Sequence, residues 1–152
     1  SFGSNLYVFD AQARQVFRYD RSDLSASPAA WLKSKEGVEL EKISSLSIDG
    51  DLWMGTSIGQ IYKFTRGDRV PFRLSDILTM PEGAIALYTS ESAQHLYVLE
   101  PRAERLLVFD KSGKYARTIA CPDLAAATSF VVDETGKRVY ILAGSLVYVL
   151  EL

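Results

Sequence analysis

A short run in which an aliphatic residue precedes an aromatic one occurs four times along this chain. The copies are Leu6-Tyr7-Val8-Phe9-Asp10, Leu52-Trp53-Met54-Gly55-Thr56, Leu96-Tyr97-Val98-Leu99-Glu100 and Val139-Tyr140-Ile141-Leu142-Ala143, and they start 46, 44 and 43 residues apart. Self-similarity at a fixed period is the mark of a repeat architecture, and about 44 residues is the size of one four-stranded propeller blade.

The register extends beyond those runs. Each is followed, after a short turn, by a second strand-like segment: Gln15 to Asp20, Gln60 to Thr65, Arg105 to Asp110 and Leu146 to Glu151. The first two alternate apolar and polar residues, the pattern of a half-buried strand. An earlier strand precedes three of the runs (Ile43 to Asp49, Ala84 to Ser90, Ala127 to Asp133), and an outer strand follows three (Ala29 to Ser34, Arg69 to Leu74, Tyr115 to Cys121). Asp49-Gly50-Asp51 and Asp133-Glu134-Thr135-Gly136-Lys137 supply hairpin-turn chemistry. With strands lettered a to d from the inside outward, the chain reads bcd-abcd-abcd-abc, 14 strands in all. A sandwich of short strands has no reason to repeat at this period. The expected fold is all-β, a propeller of about four (3.5) four-stranded blades. The blades fall at approximately 1–38, 39–78, 79–122 and 123–152, with single helical turns within Leu24 to Lys35 and Asp123 to Ala127.

A propeller gains stability from ring closure, because each blade buries both faces against its neighbours. Here the first blade lacks strand a and the last lacks strand d. The arc is therefore expected to continue upstream of Ser1, or to close into a ring by association of two copies.

Composition narrows the function classes. Net charge is −2, from 17 basic and 19 acidic residues, so no basic surplus offers itself to a phosphate backbone, and nucleic acid is not expected as a partner. No apolar stretch is long enough to span a bilayer. Cys121, the single cysteine, reads as a small apolar filler before Pro122. His95, the only histidine, reads as a surface turn residue: no G-x-S-x-G motif accompanies it, and one His with one Cys cannot make a usual zinc set. The acidic turns lack EF-hand spacing, and no phosphate loop or dinucleotide fingerprint occurs. The recurrent Tyr7, Trp53, Tyr97 and Tyr140 are expected to pack between blades. Trp31 packs locally or marks a contact surface, and the mixed-charge runs Lys33 to Glu36 and Arg102 to Arg105 are expected to be solvated. No catalytic, cofactor-binding or metal-ligating residue is assigned, and no cofactor is expected.

The third repeat, Leu96 to Pro101 followed by Glu104 to Tyr115, resembles an NHL-type blade of the NHL and SMP-30-like β-propellers. Arg105 and Val108-Phe109-Asp110 with Gly113 match that motif, while Ala103 and Glu104 replace its usual small or Asn residue. Lactonase-type propellers of similar blade shape hold a metal in the central channel with acidic and Asn ligands; Asn5 is the only Asn here, so that set is not visible. Phe130 to Glu134 and the ending from Leu142 to Leu152 look like the C-terminal propeller region of uncharacterised bacterial proteins with a phosphatase-like domain and a membrane segment upstream. That likeness implies an extracytoplasmic region of a membrane-anchored protein. Three functions follow as expectations, since a fold does not fix one. The first is a non-catalytic interaction or ligand-sensing module for a protein, peptide or saccharide. The second is a lactonase-like or other hydrolytic propeller enzyme with a central-channel site. The third is a structural arc that oligomerises into a closed ring.

Overall fold

Alternating side chains and tight turns build antiparallel hairpins, and the hairpins assemble into four separate sheets. The computed structural model describes residues 1–152. Sheet 1 holds β1 (Asn5–Asp10), β2 (Gln15–Asp20) and β3 (Ala29–Ala30). Sheet 2 holds β4 (Ile43–Ile48), β5 (Asp51–Thr56), β6 (Ile61–Thr65) and β7 (Asp68–Val70). Sheet 3 holds β8 (Ala86–Tyr88), β9 (His95–Glu100), β10 (Arg105–Asp110) and β11 (Tyr115–Ala120), and sheet 4 holds β12 (Ala127–Asp133), β13 (Arg138–Ala143) and β14 (Leu146–Glu151). Every sheet is a meander in chain order, which is the bcd-abcd-abcd-abc pattern of a β-propeller arc.

Two outer strands are shorter than the sequence pattern suggests. The segment from Ala29 to Ser34 pairs with β2 only over Ala29–Ala30. Beyond that, the buried Gln15 side chain replaces the ladder: its Oε1 accepts from the Leu32 amide at 2.8 Å, and its Nε2 donates to the Leu32 carbonyl at 3.3 Å. β7 stops at Val70 because Pro71 has no amide to donate. Of the expected helical turns, only the second forms, as a 3-10 turn over Pro122–Ala126; two others lie at Leu40–Lys42 and Pro101–Ala103.

Three hydrophobic cores fill the three junctions between successive sheets. Val16 and Leu32 of sheet 1 meet Leu52, Met54 and Phe64 of sheet 2. Trp53 of sheet 2 meets Leu87, Leu96, Val98 and Phe109 of sheet 3. Tyr97 and Leu106 of sheet 3 meet Phe130, Val139 and Ile141 of sheet 4. One face of each interior sheet therefore packs backward and the other forward. Trp31, past the end of β3, meets Tyr7 edge-on at 5.7 Å beside the first core, as its local-packing reading expects.

Backbone contacts repeat from blade to blade. After the first two outer strands the chain crosses to the c–d turn of the next sheet: Lys33 donates to the Gly67 carbonyl at 2.9 Å, and Ser75 to that of Gly113 at 2.9 Å. Both glycines have positive φ, and a Cβ on either would lie 2.2 Å from a carbonyl oxygen of the preceding blade (Trp31 or Arg73). On the inner side of the second junction the side chains of β4 bond the main chain of β8. Ser45 Oγ accepts from the Leu87 amide at 3.1 Å, and Ser47 Oγ accepts from the Thr89 amide at 2.9 Å. Gly55 lies against this seam, where an added Cβ would sit 2.6 Å from Ser45 Oγ.

Candidate functional site

The b–c turns and the d–a connections share one face of the arc. Over the second junction that face opens into a groove of about 720 Å³. Its wall toward sheet 2 is the b–c turn Ile58-Gly59-Gln60 and the start of β6 with Tyr62. The other wall is the connection from sheet 2 to sheet 3, with Phe72, Arg73, Leu74, Met80 and Pro81. The turn and connection touch closely: Gly59, at φ +79, has no room for a Cβ, which would lie 2.1 Å from the Pro81 carbonyl oxygen.

The groove combines an aromatic and aliphatic surface with charges of both signs. Arg69 is already engaged, donating to the Glu36 and Gly37 carbonyls at 3.0 Å and lying over the Tyr62 ring at 5.1 Å. Glu41 is paired with Arg14 at 2.8 Å, and Glu39 with Lys42. The exposed Arg73 makes no side-chain hydrogen bond or ion pair, so its guanidinium is the unengaged charge of the site. Ile58 and Met80 are exposed at the rim.

The charged residues singled out in the sequence lie elsewhere and work within the fold. His95 is not a turn residue: it opens β9, and its Nδ1 lies 3.0 Å from Glu134 Oε1 of sheet 4. The same carboxylate accepts from the Tyr97 hydroxyl at 2.8 Å and from the Gln94 and His95 amides at 2.8 and 3.1 Å. Burial alone opposes ionisation of Glu134, but these four donors outweigh it and hold the carboxyl below its ordinary range. Burial, and then its bond to that carboxylate, push the Tyr97 phenol well above its usual value. Asp49 forms the matching latch of the second junction, accepting from Trp53 Nε1 at 2.9 Å and pairing with Lys111 at 2.8 Å. Arg105 is not solvated with its run. It turns inward onto the buried Glu100 at 2.7 Å and donates to the Thr79 and Met80 carbonyls, tying the connection beside the groove to sheet 3. Cys121 is half-buried against the third core, with its thiol 3.7 Å from Asp123 Oδ2.

The inner strands start at Ile43, Ala86 and Ala127, none of them a carboxylate, and nowhere do three His, Cys, Asp or Glu side chains gather as a metal set would require. None of the groove residues was singled out from the sequence. Signals were there in Pro71 and Pro81, which bracket a connection carrying the exposed apolar residues Leu78 and Met80.

No protein-family model and no curated protein matches the chain. Solved structures do. PorZ, an essential bacterial surface component of the type-IX secretion system of Porphyromonas gingivalis, superimposes with a TM-score of 0.61 at 16% identity, over 98% of this chain and 18% of PorZ. A catalytically inactive virginiamycin B lyase from Staphylococcus aureus with quinupristin gives 0.53 at 14% identity, over 99% of this chain and 53% of the lyase. A streptogramin B lyase gives 0.51 at 14% identity, over 97% and 51%. At such identities the likeness shows the fold alone: an all-β arc of propeller blades whose ring is not closed. The chain spans about half the length of the lyases and under a fifth of PorZ. No helix is long and apolar enough to cross a membrane.

Proposed function

We propose that the chain is a non-catalytic binding module, blades 1–38, 39–78, 79–122 and 123–152, that docks a peptide segment in the groove over its second junction. The observation that carries this reading is the groove itself, where apolar walls from two blades surround one unengaged guanidinium. Concave sites with apolar walls and few converging polar groups are the usual form of a binding site. An arginine that is free in the unbound protein is the type of group on which interfaces concentrate affinity. Arg73 pairs with an acidic side chain or a terminal carboxylate of the peptide, while Ile58, Phe72 and Met80 take its apolar residues. The NHL-like features of the third blade fit the same reading, since Glu100 and Arg105 brace the groove's connection. The likeness to propeller regions behind a phosphatase-like domain fits a sensing role outside the cytoplasm.

Selection of a random displayed-peptide library on the immobilised protein tests the proposal. Selected peptides should carry an acidic group beside apolar residues. They should lose about tenfold or more in affinity, about 1.4 kcal/mol, on Arg73→Glu and nothing on Lys137→Glu, a change at an exposed turn on the opposite face. Peptides indifferent to Arg73→Glu would place the site elsewhere, and a library with no selectable binder would end the peptide reading.

A further inference from the structure

The three junctions repeat one arrangement, and the first of them lacks a part. At the second, the carboxylate of Asp49 accepts from Trp53 Nε1 at 2.9 Å and pairs with Lys111 of the next c–d turn at 2.8 Å. At the third, the Glu134 carboxylate accepts from the Tyr97 hydroxyl at 2.8 Å. The repeat places Tyr7 where Trp53 and Tyr97 stand. It places Arg66 where Lys111 stands, because Phe64 lies opposite Leu52 as Phe109 lies opposite Leu96, and each base comes two residues later. The aromatic donor and the base are thus both present at the first junction, and the carboxylate is not. Gly3 occupies the Asp49 position, three residues before the leucine of its strand. The a–b turn of sheet 2 presents Gly50 where that of sheet 4 presents Glu134.

Where the other junctions hold a carboxylate, the first has a pocket of about 390 Å³. Phe2, Tyr7 and Trp31 give it aromatic walls, Arg18, Lys33 and Arg66 surround it with positive charge, and no acidic residue lines it. Arg18 projects on the same side of sheet 1 as Tyr7, since the two lie directly opposite in the β1–β2 ladder. Lys33 shares a loose, mostly exposed pair with Asp68 at 3.6 Å. Neither Arg18 nor Arg66 makes a side-chain hydrogen bond or ion pair, and the Tyr7 hydroxyl donates to no group of the chain. Asp20, on the strand of Arg18, is taken by the amide and hydroxyl of Ser22 at 2.9 and 2.6 Å. Arg66-Gly67 is a two-residue hairpin turn with φ +53 and +93, in which asparagine, aspartate or glycine is the favoured first residue. Turn formation therefore does not explain the arginine. The polar groups of the pocket all lie between Tyr7 and Arg66, on the two sides of an internal junction.

Unpaired guanidiniums beside aromatic rings suit one kind of ligand. The planar fork of arginine matches a carboxylate and can hold it by two parallel bonds. A ring packs against the aromatic walls, and the volume lies in the range of small-molecule sites. We propose that this pocket binds a small ring-bearing carboxylate, a uronic sugar or an aromatic acid, whose carboxylate takes the place that Asp49 and Glu134 fill at the other junctions. It accepts from the Tyr7 hydroxyl and pairs with Arg66 and Arg18, so the bound ligand latches the first junction. The site is independent of the peptide groove: it lies over another junction, on the face of the a–b and c–d turns.

Isothermal titration calorimetry on the purified chain tests it. Digalacturonate and benzoate serve as ring-bearing carboxylates and separate a sugar from an aromatic acid. Digalactose and benzamide are their uncharged counterparts, and acetate is a carboxylate without a ring. At least one ring-bearing carboxylate should bind saturably, about tenfold or more tighter than its uncharged counterpart and than acetate. Arg66→Ala and Arg18→Ala, both at exposed positions, should each weaken that binding about tenfold. Tyr7→Phe should weaken it less, and Arg73→Ala in the groove should leave it unchanged. Gly3→Asp should supply the carboxylate from the chain itself. The added Cβ meets nothing within 4 Å, and aspartate tolerates the positive φ there. In that variant ligand binding should be lost and the midpoint of thermal unfolding should rise. Failure of both ring-bearing carboxylates to bind overturns the proposal. Equal binding of acetate and benzoate, indifferent to Arg66→Ala, is an adventitious ion only and overturns it as well. Undiminished binding to Gly3→Asp also overturns it, because the ligand then stands away from the latch position.

Discussion

The second and third junctions bury similar apolar faces but are latched by different chemistry. At the second, Asp49 reaches forward from sheet 2 to a lysine in the c–d turn of sheet 3. At the third, Ser90 occupies the Asp49 position and offers no carboxylate. The latch there runs backward, from Glu134 of sheet 4 to the donors that open β9. Sheet 3 is thus gripped from both sides by carboxylates of its neighbours. The comparison teaches that a repeat preserves where a junction must be held, while the residues that hold it, and the side they reach from, change.

The largest test of that comparison removes the apolar part of the second junction. Trp53→Ala takes away a fully buried indole and should cost about 4 kcal/mol, lowering the midpoint of thermal unfolding by roughly 8 to 16 °C, as read by circular dichroism. Losses equal to those of a surface change would mean that the junction does not hold the arc together.

The two latches come next. Glu134→Ala strands four donors, and Asp49→Ala strands the indole and the Asp51 amide and leaves Lys111 with only the Ser90 carbonyl, so each should cost about 2 kcal/mol in urea unfolding. A double-mutant cycle of Asp49→Ala with Lys111→Ala should show coupling of about 1 kcal/mol, and no coupling would reduce Lys111 to a bystander. The latches should also separate by pH. The Glu134 carboxyl is held below its ordinary 4.5, so its contribution is complete above that value and is lost as pH falls through the lower folded value. The stability gap between wild type and Glu134→Gln should therefore be constant near neutrality and shrink below about pH 5. A gap that widens on acidification would refute the assignment. The smallest effect belongs to the exposed pair across the first junction: Arg14→Ala should change stability by under about 0.5 kcal/mol, because both partners are more than half exposed.

Much of this architecture was legible in the chain. Strand alternation and the hairpin turns are local signals, so the sheets lie where the period put them. What escaped the sequence depends on contacts about one period away. Glu134 looked like turn chemistry, and its neighbour Asp133 does hold the turn through the Gly136 amide, yet Glu134 itself acts on the preceding blade. His95 and Arg105 are polar at the ends of strands, where only a neighbouring sheet or connection can say which way they face. The outer strands ran short because a single glutamine and a proline outcompeted the ladder. The groove was invisible for a further reason. Its walls come from a turn and a connection about 20 residues apart, and neither carries a periodic pattern.

The serine seam between β4 and β8 has a geometric consequence. Adjacent blades form a wedge, and the wedge angle depends on how thick the filling is near the axis relative to the rim. At the second junction the filling is thinnest near the axis, with Ser45, Ser47 and Gly55, and thickest farther out, where Trp53 meets Phe72 edge-on at 4.9 Å. Small hydroxyls near the axis act as thin shims. They let the inner strands of these two blades approach closely, which favours a tighter turn of the arc at that junction.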